Sequence, residues 1–233
     1  MPLSQSTLPK ALLLDSGGVL IRPIGNRWNP RADFEPIVLR GNPQITSEQF
    51  AAAIEVGDRF MAAAESTPDL DLYHAAMLDH LGIRPSPELL AELVRPVPAT
   101  VVLEPFDEVI PTLETLRTRG VRMAVVSDAW PNLRQLHADL GIDEFFEAYA
   151  ISAVLGCRKP DPRMYHHASA ALGLPPAECL FVDDDPALVA AALELGYQGR
   201  WMRRADVEPC EADPGVEAVT SLSELVELVA SRR

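Results

Sequence analysis

Apolar residues occur along this chain in two kinds of run. Short uninterrupted runs predict buried strands over 11–15 (ALLLD), 121–127 (VRMAVVS), 148–153 (AYAISA) and 179–185 (CLFVDDD). Longer stretches repeat apolar residues at three- and four-residue spacing. They predict helices over 47–64, 70–81, 87–94, 106–119, 133–140, 162–172, 187–195 and 221–231, the first opened by a serine cap at Ser47. Gly82, Gly120, Gly141, Gly173 and Gly196 each follow a helical stretch, where a left-handed residue ends the hydrogen-bond ladder. The segment 22–34 reads as irregular, with Pro23, Gly25, Asn26, Pro30 and Arg31. No strand pattern interrupts roughly 34–95, so that stretch reads as a helical insertion. Elsewhere strands alternate with helices, which argues an α/β fold: a parallel sheet with helices on both faces. Such sheets bind ligands at the carboxyl ends of their strands.

Composition narrows the classes. The 233 residues are 48% hydrophobic and 23% charged, enough for a sizeable core and too apolar for wholesale disorder. The net charge of −14 excludes a general basic footprint for nucleic acid and repels anionic membranes. An anionic substrate would then need local positive charge or a metal. Cys157, Cys179 and Cys210 are few and scattered, so a reduced, cytoplasmic setting is expected rather than a disulfide framework. The start, MPLSQSTLPK, has no signal-peptide pattern, and the apolar run after it is too short to span a membrane.

The polar residues at the strand ends carry the chemistry. The first strand ends at Asp15, the second at Ser127-Asp128 and a third at Asp183-Asp184-Asp185, while a loop between them holds Lys159 in GCRKPDP. In a parallel sheet these ends can converge. Carboxylates alone would repel one another; a hard divalent cation such as Mg²⁺ resolves that, and with Lys159 it would stabilise a phosphoryl group. Each residue also has a plainer reading. Asp15 before two glycines could cap a turn, Ser127 could merely end a strand, Lys159 could be a solvated lysine, and Asp185 before Pro186 suits a helix cap.

Taken in order, the set resembles the haloacid dehalogenase-like hydrolase superfamily. The first motif of that family, D-x-D-G-[TV], is met by Asp15-Ser16-Gly17-Gly18-Val19 except at its second Asp; the second by Ser127; the third by Lys159-Pro160; the fourth by Asp183-Asp184. The resemblance covers about residues 10–200. It implies a Rossmann-like core domain over 1–21 and 101–233, with an inserted α-helical cap domain over 22–100. It implies a Mg²⁺-dependent phosphatase acting on a small phosphorylated metabolite, with Asp15 as nucleophile and an aspartyl-phosphate intermediate. Mg²⁺ would be held by Asp15, the Gly17 carbonyl, Asp183 and Asp184. Ser127, Asp128, Lys159 and the backbone of Gly17 and Gly18 would bind the phosphoryl group, and Lys159 would neutralise charge.

Gly17 departs from the pattern. An Asp there usually protonates the leaving group and then activates water, help worth about 10²–10⁴-fold. Four outcomes stay open: slow hydrolysis, a substitute acid (Asp128, Asp33 or Glu35), a leaving group that needs no acid, or lost catalysis in a phosphate-binding protein. The gap also keeps a metal-independent 2-haloacid dehalogenase in play, since those relatives carry an aromatic residue at that position. Arg22, Arg27, Trp28 and Arg31 could line a pocket or cover the domain seam, and the seam is the preferred expectation. His137, His166 and His167 read as surface or packing residues.

Overall fold

The computed structural model describes residues 8–25, 27–204 and 215–229. The MPLSQST start, Asn26, Cys210 and the last positions of the expected C-terminal helix (Ala230 and Ser231) lie outside these residues. In chain order the elements are β1 (Ala11–Leu14), β2 (Ile21–Pro23), α1 (Phe34–Leu39), α2 (Ser47–Ala63), α3 (Leu70–His80), α4 (Pro87–Leu93), α5 (Ala99–Val102) and β3 (Leu103–Pro105). There follow α6 (Val109–Thr118), β4 (Arg122–Ser127), α7 (Leu133–Asp139), β5 (Ala148–Ile151), α8 (Ser152–Leu155), α9 (Pro162–Ala171), β6 (Cys179–Asp183), α10 (Pro186–Glu194), β7 (Gln198–Met202), β8 (Ala218–Val219) and α11 (Leu225–Leu228).

Six strands form one parallel sheet in the order β5-β4-β1-β6-β7-β8. β1 lies centrally, buried at every residue, which is why it reads as an unbroken apolar run. Its side chains alternate between faces. Leu12 and Leu14 join α6, α7 and α11 in one core cluster, while Ala11 and Leu13 join α9 and α10 in another. Leu14 pairs with Val125 of β4 and with Val182 of β6, so the carboxyl ends of the three strands stand side by side.

The stretch 34–93 buries a third cluster of its own, built on Phe34, Phe50, Tyr73, Met77 and Leu93. The helix α2 opens at Thr46, not at the expected serine. The Thr46 hydroxyl accepts from the Gln49 N–H, and the Gln49 side chain accepts from the Thr46 N–H. Gly57 of α2 lets α3 approach closely: a Cβ there would lie 2.8 Å from the Tyr73 ring and 3.0 Å from Met77.

Four readings of the sequence need correction. The 22–34 segment is not wholly irregular: β2 pairs antiparallel with β3, joining the two ends of the helical insertion, and α1 begins at Phe34. Three-residue strands ending in proline carry too little periodicity to be read. The sheet also extends through β7 and β8. In β7 the apolar pattern is broken by Gly199, where a Cβ would lie 2.6 Å from Val189 of α10. The helix expected over 106–119 starts at Val109. The expected C-terminal helix is a 3₁₀ turn, Leu222–Glu224, followed by the four-residue α11.

A Gly57→Leu substitution overpacks the α2–α3 contact, where Tyr73 and Met77 are fully buried. It is expected to cost about 1–3 kcal/mol, read as a lower urea midpoint with an unchanged m-value.

Candidate active site

The carboxyl ends of β1, β4 and β6 bring the expected residues together. Asp15 follows β1, Ser127 ends β4, and Asp183 ends β6. Carboxylate oxygens of Asp15, Asp183 and Asp184 lie within 4.8 Å of one another. Lys159 enters from the loop between α8 and α9. Its Nζ donates to Asp15 Oδ1 at 2.8 Å and to Asp183 Oδ2 at 2.6 Å. Asp185 is a helix cap, as expected: its side chain accepts from the Ala187 N–H at the start of α10. A cavity of about 1420 Å³ opens over the group, lined by Asp15, Gly17, Ser127, Lys159, Asp183 and Asp184 on the sheet side and by helical-insertion residues opposite.

One ammonium among three close carboxylates leaves surplus negative charge. The Asp184 carboxylate has no hydrogen-bond or ion-pair partner among the described residues. Asp184 is exposed to solvent on one side; desolvation on its site-facing side, and then the charges of Asp15 and Asp183, push it up to about 7. Burial likewise raises Asp183 despite the Lys159 contact. Burial would lower the Lys159 pKa, but Asp15, Asp183 and Asp128 outweigh it and hold the amine protonated. Three oxygen donors on one small patch, short of positive charge, suit a hard divalent cation, so the residues present fit Mg²⁺.

The glycine turn is shaped for close approach. Gly18 has φ +70°, and a Cβ on it would fall 2.1 Å from Asp184 Oδ2. The Gly18 N–H donates to the Ile21 carbonyl at 3.0 Å, so its amide is used inside the turn rather than free for a substrate. Among the described residues the Gly17 carbonyl accepts no backbone hydrogen bond. A Cβ on Gly17 would lie 3.2 Å from Cζ2 and 3.4 Å from Cη2 of Trp28. The indole therefore crowds the place where a side chain at 17 would start.

That corrects the seam reading of the 22–31 cluster in part. Arg22 does belong to the seam: it pairs with Glu104 at 2.8 Å and lies over the Phe106 ring. Arg31 is held by Asp33 and by the Arg95 carbonyl. Arg27 and Trp28 line the cavity, as does Arg31. Among the acids considered as substitutes, Asp33 is tied by Arg31 and Arg95. The Asp128 carboxylate accepts the Lys159 N–H at 3.1 Å and faces Arg158, which positions the lysine loop. Glu35 lines the insertion side of the cavity.

Two supports of the turn carry no motif. His137 is fully buried and links Ser16 Oγ (2.8 Å) to the Tyr149 hydroxyl (3.1 Å), so the packing role is right but the partner adjoins Asp15. Burial lowers its pKa to about 4 and keeps it neutral. His166 meets the Tyr197 hydroxyl, away from the site, and His167 is exposed on α9. Arg204, just beyond β7, is buried over the Phe106 ring; it donates to the Gly18 and Val19 carbonyls and pairs with Glu108. A lone arginine 186 residues from Gly18 gives no sequence signal.

Because Asp184 and Asp183 have raised pKa values, the metal-free native state binds more protons than the unfolded chain from the ordinary carboxylate range up to about pH 7. These groups therefore cost stability as pH rises through that window. His137, with its lowered pKa, acts in the opposite sense and cancels in a mutant comparison. In EDTA, Asp184→Asn is expected to gain stability over the parent between pH 4 and 7 and to hold that gain above; Mg²⁺ is expected to reverse the order. Urea midpoints across pH 4–8 check it.

Comparison with known proteins agrees with this geometry. A family model, haloacid dehalogenase-like hydrolase, matches residues 9–196. The chain is 34% identical over 115 residues to a glyceraldehyde 3-phosphate phosphatase of Methanopyrus kandleri, covering 46% of this chain and 48% of that protein, so about half the length of each is matched. It is 28% identical over 194 residues to a sesquiterpene phosphatase of Aspergillus oryzae, covering 82% and 88%. The structure of an L-2-haloacid dehalogenase from Xanthobacter autotrophicus superposes with a TM-score of 0.66 at 20% identity, covering 94% and 98%, a likeness of fold alone. Matched over residues 9–196, the chain belongs to the haloacid dehalogenase-like hydrolases.

Proposed function

We propose that the protein is a Mg²⁺-dependent phosphatase that hydrolyses a small phosphorylated metabolite through a phosphoryl group carried on Asp15. The observation that carries this reading is Asp184, a third carboxylate within 4.8 Å of Asp15 and Asp183 and without a partner among the described residues. Phosphatases stand among the relatives, as do haloacid dehalogenases matched at 32% identity.

Asp15, the Gly17 carbonyl, Asp183 and Asp184 would hold the cation. When bound, it would offset the repulsion between an anionic substrate and these carboxylates. Asp15 attacks phosphorus and takes the phosphoryl group. Lys159, held protonated by its acidic neighbours, neutralises charge on Asp15 and on the phosphoryl oxygens. Ser127, at the end of β4 and among the residues lining the cavity, would donate to a phosphoryl oxygen. The Ser16 and Gly17 amides also make no backbone bond among the described residues and can do the same. Asp128 sets the lysine loop. The helical unit over 22–100 acts as a cap that shields the site from water, joined to the core through β2 and β3.

A second reading is a metal-independent 2-haloacid dehalogenase. The observation in its favour is the Trp28 ring beside Gly17, an aromatic group where a side chain at 17 would otherwise lie. The readings separate cleanly. A phosphomonoester panel is expected to show turnover that EDTA abolishes, and Asp15→Asn is expected to lower it by about 10³-fold or more, as loss of a nucleophile does. Halide release from 2-haloacids in EDTA, with no phosphate release in Mg²⁺, would replace the first reading by the second. Equal activity in Asp15→Asn would remove both.

A further inference from the structure

We propose that the Gly17–Trp28 pair sets the substrate class: phosphate esters whose leaving group is flat, unsaturated and able to depart as an anion, such as aryl or enol esters, in preference to alkyl esters. This rests on the phosphatase reading and adds the identity of the leaving group.

Three observations carry it. The Trp28 indole lies 3.2 Å from a Cβ built on Gly17, so an acid side chain at 17 is crowded unless the part-exposed indole shifts by a few tenths of an ångström. Glycine and tryptophan together replace a proton donor by an apolar ring on that side of the turn. Two of the candidate substitute acids are engaged, Asp33 by Arg31 and Arg95 and Asp128 by the Lys159 amide and Arg158, while Glu35, Asp69 and Asp71 line the cavity from the helical insertion. The cavity of about 1420 Å³ continues from Trp28 along apolar groups, among them Trp130, Ile24, Phe34 and Leu70. Trp130 is fixed there by its Nε1–H, which donates to the Pro68 carbonyl at 2.8 Å. The volume takes a body much larger than a phosphate, and its lining offers ring faces beside the charges of Arg27, Arg31, Glu35, Asp69 and Asp71.

The chemistry balances without an acid. The Asp15 carboxylate forms a bond to phosphorus, and the bond from phosphorus to the leaving oxygen breaks with its electron pair on that oxygen. A phenolate or enolate bears that charge; an alkoxide does not. Water then adds its oxygen to phosphorus, Asp15 leaves as a carboxylate, and the phosphoryl group departs with both protons of the water as dihydrogen phosphate. The second step is common to every substrate, so kcat/KM is the parameter that reports leaving-group selection.

The experiment combines kinetics with binding in Mg²⁺. The unaltered protein is expected to show kcat/KM falling steeply with leaving-group pKa across aryl and alkyl phosphates. Gly17→Asp alone is expected to leave alkyl esters poor, because Trp28 crowds the new side chain. Gly17→Asp with Trp28→Ala is expected to raise alkyl turnover by about 10²-fold, the lower range for a positioned acid. Phenylphosphonate is expected to bind about tenfold tighter than methylphosphonate, a ratio kept in Trp28→Phe and lost in Trp28→Ala. A flat dependence on leaving-group pKa, an equal gain from Gly17→Asp alone, or no phenyl preference would each overturn the proposal. So would a 10²-fold loss on alkyl esters in Glu35→Gln, which would make the cap the source of the acid. If no variant hydrolyses any phosphoester, the phosphatase reading fails, and the phenylphosphonate ratio still decides whether the Trp28 wall selects ligands.

Discussion

The contact on which the rest of the site depends is the buried Lys159 ammonium between Asp15 and Asp183. It joins residues 144 and 24 positions apart in the chain. A buried charge is tolerated only when paired and hydrogen-bonded, and here each end supplies what the other lacks. Without the lysine, two carboxylates would stand buried side by side at the ends of neighbouring strands. Without them, the amine would lose its proton to burial. The pairing therefore ties the lysine loop to the ends of β1 and β6. It also leaves Asp184 as the one carboxylate of the three without a partner among the described residues.

The turn after β1 is held from several directions. Asp184 presses on Gly18 from β6, Arg204 grips the Gly18 and Val19 carbonyls from the end of β7, and His137 holds Ser16 from α7. Each support comes from a different element, so the conformation of the turn is a property of the assembled sheet. A nucleophile must be placed to within a fraction of an ångström to be useful, and redundancy of this kind supplies it. The neutral His137 and the charged Arg204 do the same work by different means. The histidine offers a ring nitrogen to a hydroxyl at no cost in buried charge; the arginine spends its charge on Glu108 and its donors on carbonyls.

Much of this was legible in the residues. Helices stopped by Gly82, Gly120, Gly141, Gly173 and Gly196 end within a residue of where they were expected, because positive φ at a helix end favours glycine. β1, β4 and β6 were legible because a strand buried on both faces is apolar throughout. β2 and β3 were not, since their pairing is set by where the insertion leaves and returns. β7 was not, since Gly199 answers to the packing of α10 and looks like a break in the pattern. The C-terminal helix was overread: the apolar spacing after Ser221 serves a 3₁₀ turn and a short helix that dock on the sheet.

The sequence alone determined the alternation of strand and helix, the helical insertion, and the identity of the acids, hydroxyl and lysine that end the strands. These follow from local periodicity and from residue types whose chemistry is the same wherever they sit. The tertiary structure decided which of those groups share one patch of surface and what stands next to Gly17. Nothing local links Trp28 to Gly17 or Arg204 to Gly18; the fold brings them together by closing the insertion over the turn and by laying β7 beside β6. Such contacts are made by packing between elements, and packing is not written in the period of any one of them.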